Sequence, residues 1–278
     1  MKYKLFLHPV RPKVKENYVR ELLKDLNIQW SISRPDIAII IGGDGTFANY
    51  AKNLRIPMLF VSVPDPNTLG SKARLAETNI QELKKSVARI QEGKFYLEGR
   101  KLLRVTFNKK HSVVFTDIYL ERGDFGGCLR YSLTVRGRDK NEKKFSDYCI
   151  GNGVVISTSI GATGYFSYPQ RLLSKGAKRD LSFANDRIGV CHINPFFFER
   201  RLWRSNHSYR KDGDNNNNPT PEIQYTVPFG SLISISLERP NKAFLYGISE
   251  TSKGVEISNK VTVFINASNR AAKIIRLK

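Results

Sequence analysis

The stretch Pro35-Asp36-Ile37-Ala38-Ile39-Ile40-Ile41-Gly42-Gly43-Asp44-Gly45-Thr46 constrains this chain more than any other. A short β-branched run ends abruptly in three glycines wrapped around one aspartate. Phe47, Ala48, Tyr50, Ala51 and Leu54 then continue with roughly helical spacing. The pattern predicts a buried strand, a tight glycine turn and a helix that begins at the turn. Glycines let a ligand approach bare backbone, and a helix N-terminus offers amides and a positive dipole end that suit phosphate. A carboxylate repels phosphate. Asp44 therefore makes sense in such a loop if it does chemistry, or meets the phosphate through a metal. The competing reading is a plain βα turn with Asp44 as the helix N-cap.

The segments around it extend the pattern. Residues 3–8 read as a strand, and Lys13–Leu26 as an amphipathic helix with Val19, Leu22, Leu23 and Leu26 at helical spacing. Pro57–Val63 is a further continuous apolar strand. Alternating strands and helices of this kind make a parallel sheet covered on both faces, with ligands at the carboxyl ends of the strands. The turn-rich loop Pro64–Ser71 leaves that same edge, and Asn79–Gln91 reads as a helix with Gly93 as its C-cap. From about Tyr96 the runs become short and alternating: 102–107, 112–120, 129–135, 154–156, 231–237, 242–246 and 261–265. The expected fold class is an α/β N-terminal domain with a parallel sheet plus a mainly antiparallel β C-terminal domain. Expected boundaries are 1–96 for the domain carrying the glycine loop, 97–260 for the β-rich domain, and 261–278 for a C-terminal segment returning to the first. Two irregular pieces interrupt the second domain, Tyr168–Arg187 and Phe197–Pro228. The latter holds Asp212-Gly213-Asp214 and Asn215–Asn218 and is expected to be a mobile surface loop.

Composition narrows the class only a little. The formal net charge of +21 attracts polyanions, whether nucleotides, polyphosphate, nucleic acid or acidic membrane surfaces. The basic residues are spread along the chain, so charge does not choose among these and leaves nucleic acid open as a partner. No run of about 18 apolar residues exists to span a membrane, and the first apolar run is too short for a secretory segment. The three cysteines, Cys128, Cys149 and Cys191, form no paired framework, which points to a reducing, cytoplasmic setting. The four histidines, His8, His111, His192 and His207, lack ligand-like spacing, so no protein metal site is expected. His192 reads as a core or loop histidine and Asp124 as part of a hairpin turn. Phe196-Phe197-Phe198 reads as core, and Tyr131, Leu133 and Val135 as one face of a strand.

A second unusual stretch is Gly151-Asn152-Gly153-Val154-Val155-Ile156-Ser157-Thr158-Ser159-Ile160-Gly161-Ala162-Thr163-Gly164-Tyr165. A strand runs into small and hydroxyl residues that expose backbone amides and offer donors to phosphate or ribose, and then into an aromatic. Taken alone it is better read as a Ser/Thr-rich turn opening a helix. Taken with the first stretch, it carries a resemblance. Gly42-Gly43-Asp44-Gly45-Thr46 is similar to the G-G-D-G-T signature of the superfamily of NAD kinases and diacylglycerol- and sphingosine-type lipid kinases. Gly151–Tyr165 resembles the NAD kinase segment D-G-(apolar)₃-S-T-P-(S/T)-G-(S/T)-T-A-Y. Gly93–Leu103 resembles that family's G-x-(Y/F)-x-(I/V)-E-x-R-x-(M/L)-L bridge. The order and spacing of all three agree, and the resemblance is thin only from residue 170 to 240.

The resemblance implies an enzyme that moves a phosphoryl group from ATP, or from polyphosphate, to the adenosine 2′-hydroxyl of NAD, giving NADP. It implies Asp44 as general base and Gly42, Gly43, Gly45 and Thr46 holding the donor phosphates. Mg²⁺ or another divalent cation would offset developing charge. Thr116, Asp117, Asn152, Thr163, Gly164 and Tyr165 fall on the family's nucleotide-contacting positions, within a substrate-binding second domain. A homo-oligomer, dimer or tetramer, is implied as well. The chain departs from the family pattern in several places. Thr116 replaces an asparagine, Asn152 an aspartate and Gly164 an alanine; Ile160 stands at a hydroxyl position, and Tyr246-Gly247 occupies a D-G pair. A lipid kinase of the same superfamily and a non-catalytic nucleotide-binding homologue remain the alternatives.

Overall fold

The computed structural model describes residues 1–10, 12–64, 73–123, 126–137, 145–169, 183–203, 209–211, 222–240, 242–248 and 253–278. The loop expected at 64–71, Asp124, and the Asp212–Asn218 run lie largely or wholly outside the described residues. The chain forms two compact units, Met1–Arg100 with Ala271–Lys278, and Lys101–Arg270.

In the first unit β1 (Lys2–Leu7), β2 (Gln29–Trp30), β3 (Ile37–Ile41), β4 (Met58–Ser62) and β5 (Thr78–Asn79) alternate with α1 (Glu16–Leu22), α2 (Asp44–Asn53) and α3 (Leu83–Gln91). These five strands pair in parallel: β2 with β1, β1 with β3, β3 with β4 and β4 with β5. Near the chain end Ile274 pairs in parallel with Met58. All five residues of β3 are buried, as a central strand covered on both faces requires. Ile37, Ile39 and Ile41 pack with Val19, Leu83, Val87 and Ile90. Phe47 of α2 stacks on Phe60 of β4 at 4.6 Å between ring centroids.

Two helices are shorter than their periodicity predicts. Expected over 13–26, α1 holds only Glu16–Leu22, followed by a 3-10 turn at Lys24–Leu26 that stops where Asn27 turns left-handed (φ 47°). Expected from Asn79, α3 starts at Leu83, because Asn79 is still paired to Ser62 in β5 and its side chain accepts the Glu82 amide at 3.0 Å. The exit of α3 matches expectation. Gly93 sits at φ +73° while its amide reaches Ile90 O (3.0 Å) and that of Lys94 reaches Arg89 O (2.8 Å), a Schellman closure.

The second unit is two antiparallel sheets. Its strands are β6 (Phe95–Phe107, entering from the first unit), β7 (Lys110–Val114), β8 (Asp117–Arg122), β9 (Leu129–Arg136), β10 (Phe145–Gly151), β11 (Gly153–Ser157), β12 (Arg187–Ile193) and β13 (Phe197–Trp203). They continue with β14 (Tyr209–Lys211), β15 (Gln224–Pro228), β16 (Leu232–Leu237), β17 (Ala243–Tyr246), β18 (Val255–Ile257) and β19 (Val263–Leu277, leaving into the first unit). One sheet runs β14-β13-β10-β9-β16-β19 and the other β15-β12-β11-β8-β17-β18. Alternate residues fill the core: Leu129, Tyr131, Leu133 and Val135 from β9, as their spacing predicts, with Ile233 and Ile235 from β16 and Ile118 and Leu120 from β8.

Three expectations are corrected here. The run 112–120 is two strands, because the carbonyls of Phe115 and Thr116 are taken by the Thr158 hydroxyl at 2.7 and 2.9 Å. The span 197–228 is not one irregular loop: β13, β14 and β15 lie in it, and β13 pairs with β10 from Phe197 to Leu202. Phe196–Phe198 is not core. Phe196 is 86% exposed and Phe197 41%, and only Phe198 packs inward. Alternation along β13 sends Phe198 to the core and Phe197 outward, and Phe196 precedes the strand.

The two sheets are joined at Asn152, where β10 of one gives way to β11 of the other. Gly153 adopts φ +145°, and a Cβ there would lie 1.9 Å from Leu120 O. No side chain fits that approach without moving β8. Gly153→Ala is expected to lower the urea midpoint by the equivalent of about 3 kcal/mol or more, or to leave the chain insoluble. An unchanged midpoint would show that this crossing is not held as described.

Candidate functional site

The first unit places the glycine turn at the carboxyl end of β3. Gly43 is the N-cap of α2, in extended conformation, and Asp44 is the first helical residue. Asp44 does not cap the helix: its Oδ1 accepts the Leu75 amide at 3.0 Å and its Oδ2 the Arg74 amide at 3.2 Å. The carboxylate is thus fixed by two successive amides of another segment. The first-turn amides of a helix have no intrahelical acceptors, so this end offers donors and a positive dipole to an anion.

The glycines differ in why they are glycine. A Cβ on Gly42 would lie 2.6 Å from the Thr46 hydroxyl, with Thr46 buried beneath, so packing demands glycine there. A Cβ on Gly45 would meet no heavy atom within 4 Å. Glycine inside a helix costs about 1 kcal/mol relative to alanine, and at Gly45 no contact with the described residues explains that cost.

In the second unit β8 and β11 run antiparallel, pairing Asp117 with Ser157 and Glu121 with Gly153. Past Ser157 the chain turns back over the sheet. Thr158 donates its amide to Thr116 O (2.8 Å), and 3-10 turns follow at Gly161–Thr163 and Tyr165–Ser167. Ala162 and Phe166 bury against Val155, Cys191 and Ile193 in a small core of their own. The turn is tight because Gly161 is bare: a Cβ would come within 2.5 Å of Ser157 Oγ and 2.7 Å of Thr116 O.

This folding gathers most of the residues expected from sequence. Asp117 is partly buried and accepts from the Thr116 hydroxyl and the Tyr165 amide. Burial pushes its carboxyl pKa up, and those two hydrogen bonds oppose the shift. Gly164 lies beside it, since a Cβ there would be 3.3 Å from Asp117 Oδ2. Thr163 and Gly164 are exposed, while Tyr165 is half-buried with its hydroxyl bonded to Glu121. Burial first, then the Glu121 bond, raises the Tyr165 pKa. Asn152 stands one residue before Gly153, which pairs with Glu121, so its backbone lies at the Glu121 end of this face. It precedes Gly153 at the opposite end of β11, about 17 Å of strand away from Ser157. The backbone of Asn152 serves the sheet junction, with its amide on Ile193 O and its carbonyl taken by Arg122.

Sequence reasoning missed Tyr119 and Glu121. With Asp117 they alternate along β8 and share its outward face, whereas Ile118 and Leu120 point into the core. Tyr119 stacks on Tyr246 (5.1 Å) and meets Tyr165 edge-on (5.3 Å), so Tyr246-Gly247 also belongs to this face. The period-two pattern of β8 was the available signal. Ser159 reaches Asn185 at 3.3 Å rather than the Asp117 cluster. Cys149 and Cys191 are buried, their thiols pushed up to about 11 and about 12 by burial, which makes them poor nucleophiles. Among the described residues no three His, Cys, Asp or Glu side chains lie together as a cation site, and no helix is long and apolar enough to cross a membrane.

A parallel α/β unit ending its central strand in a glycine turn at a helix start, with a two-sheet antiparallel unit carrying a small-residue turn, defines a two-unit α/β plus β protein. No family model matches the chain. An NAD kinase of Clostridium kluyveri is 23% identical over 248 residues, covering 87% of this chain and 73% of that protein. An NAD kinase of Clostridium tetani is 29% identical over 137 residues, 47% of this chain and 46% of that one. Among solved structures, an NAD kinase from Archaeoglobus fulgidus in complex with ATP superposes with a TM-score of 0.61 at 15% identity, covering all of this chain and 94% of its own. Yeast NADH kinase complexed with NADH gives 0.65 at 16% identity, covering all of this chain and 83% of its own. The curated relatives support a divergent member of the NAD kinase family, and the solved structures share its fold.

Proposed function

We propose that the protein is an NAD kinase-type phosphotransferase, moving a phosphoryl group from ATP to the adenosine 2′-hydroxyl of NAD with Asp44 as general base. The observation that carries this reading is the placement of Asp44. It stands at the first position of a glycine-preceded helix, yet its carboxylate is oriented by the Arg74 and Leu75 amides instead of capping that helix. A carboxylate so placed is beside any phosphate held at the helix start, where a hydroxyl nucleophile must lose its proton. Gly42, Gly43, Gly45 and Thr46 form the donor-phosphate loop. Thr116, Asp117, Asn152, Thr163, Gly164 and Tyr165 serve the acceptor. The relatives' names support the phosphorylation of NAD over that of a lipid.

Among the described residues no three His, Cys, Asp or Glu side chains gather around Asp44 as a cation cage. A divalent cation would come with the donor's phosphates, as Mg²⁺ commonly does, and shield their charge. Polyphosphate as donor, a homo-oligomeric assembly and a cytoplasmic setting belong to the same proposal. NAD-dependent conversion of ATP to ADP, followed by chromatography, is the direct test. Equal ATP loss with and without NAD would sink it.

Gly45 gives a second test. Gly45→Ala is expected to stabilise the fold by about 1 kcal/mol while raising the KM for ATP several-fold, because the added methyl intrudes on open space at the helix start. An unchanged KM would remove Gly45 from the donor site.

A further inference from the structure

We infer that Arg276, close to the C-terminus, is a positioning residue for Asp44, acting through Glu77. This rests on the reading of Asp44 as the base, and the coupling itself is mechanical. The two amides that fix Asp44 belong to Arg74 and Leu75. Two residues further on, the Glu77 amide is bonded to Phe60 O at 2.9 Å, alongside β4. The Glu77 carboxylate does not face solvent freely. Its Oε2 accepts from Arg276 Nη1 at 2.9 Å and its Oε1 from the Leu277 amide at 2.8 Å.

Arg276 in turn is fixed from a second side, donating Nε to Glu98 Oε2 at 2.8 Å. Glu98 also pairs with Arg100. The Arg276, Glu77 and Glu98 side chains are each only 17–25% exposed. Burial would lower the Arg276 pKa, but its bonds to Glu77 and Glu98 outweigh this and raise it. The guanidinium fork bridges two carboxylates from separate segments, which a lysine point charge does not reproduce. The Lys278 amide adds a bond to Lys94 O at 3.1 Å. The short turn Ala73–Ala76, closed by a 3.0 Å bond, is therefore pinned at its two central amides by Asp44 and just beyond its C-terminal end by the last strand of the chain. Loss of the Arg276 anchor frees that turn, and with it the two amides that aim the carboxylate.

Amide hydrogen exchange at Arg74 and Leu75 in the full-length protein tests this without any appeal to turnover. Arg276→Met and Glu77→Gln are expected to accelerate exchange at both amides by about tenfold or more, leaving Ile39 and Phe47 as protected as in wild type. Arg276→Lys, the conservative change, is expected to restore only part of the protection. Unchanged exchange at Arg74 and Leu75 in folded Arg276→Met, or in Glu77→Gln should the former not fold, overturns the coupling. Uniform acceleration across the unit also overturns it, since that is general destabilisation.

Kinetics then separates the coupling from the function. In the wild-type background Arg276→Met is expected to lower kcat about tenfold with KM for ATP and NAD nearly unchanged. Introduced into Asp44→Asn it is expected to remove little more, because the two act as a unit. A full additional loss in the Asp44→Asn background contradicts the positioning role. A wild-type protein without turnover, but with the exchange effect intact, would defeat the proposed reaction and leave the coupling standing.

Discussion

Asp44→Asn is expected to reduce NADP formation by about two to four orders of magnitude, the usual span for removing a general base. The fold should survive. Asparagine is isosteric, and its carbonyl oxygen still accepts one of the Arg74 and Leu75 amides, while its amide group meets the other donor. The melting temperature should therefore fall by only a few degrees, and ATP should still shift it upward through the glycine loop. The loss should appear in kcat rather than in KM, since the proton is taken only on the way to the transition state. Retention of the wild-type rate by a folded Asp44→Asn protein would exclude Asp44 as the base. Complete unfolding would instead show that its two amide bonds matter chiefly for stability.

The second large effect lies in the core of the β-rich unit. Asp147 on β10 is fully buried and accepts four hydrogen bonds. Arg200 Nε and Nη2 reach it at 2.7 and 2.9 Å, His192 Nε2 at 3.1 Å and the Tyr225 hydroxyl at 2.5 Å. The far side of His192 meets Tyr131, whose hydroxyl also reaches Gly153 O at 2.6 Å. The Arg200 guanidinium lies 4.3 Å from the ring centroids of both Phe145 and Tyr225. Arg200→Met removes the charge that balances Asp147 and is expected to cost about 3–5 kcal/mol, the penalty of stranding a buried ion. Urea denaturation at neutral pH measures it. A loss below about 1 kcal/mol would mean that His192 and Tyr225 suffice.

The same cluster predicts a pH dependence. Burial alone would raise the Asp147 pKa, but the Arg200 and His192 bonds and charges outweigh it and hold the pKa below the usual carboxylate value. A depressed folded pKa gives stability that is fully present above the unfolded value of about 3.9 and is lost as pH falls through the folded pKa. Wild-type stability should accordingly fall below about pH 4. Arg200→Met, already missing the partner, should show a shallower acid slope from this group.

These two clusters mark what the sequence made legible. The strand, turn and helix of Ile37–Asn53 could be read because one apolar run and three glycines sit side by side and their geometry is local. The Thr116-Asp117 and Gly161–Tyr165 pieces lie far apart in sequence, and only a family pattern joined them before β8 and β11 did so in space. Glu121 and Tyr119 were hidden for a related reason. Their partners, Tyr165 and Tyr246, are fixed by pairing and by the turn after Ser157, neither of which leaves a periodic trace. The Asp147 network was invisible. Its members come from β9, β10, β12, β13 and β15, and a one-residue slip in any of these would turn a member outward. The same alternation turns Phe197 outward, while Phe196 is exposed because it precedes the strand, although hydrophobicity alone sends both inward.

The site of phosphorylation tests the central claim most directly. Wild-type protein incubated with ATP, Mg²⁺ and NAD should yield a product whose ³¹P spectrum shows one new phosphomonoester coupled to the adenosine ribose 2′ proton, and Asp44→Asn should yield none under the same conditions. A phosphomonoester at any other position, no new resonance from wild type, or equal product from both proteins would contradict the assignment of Asp44 to the transfer of phosphate onto NAD.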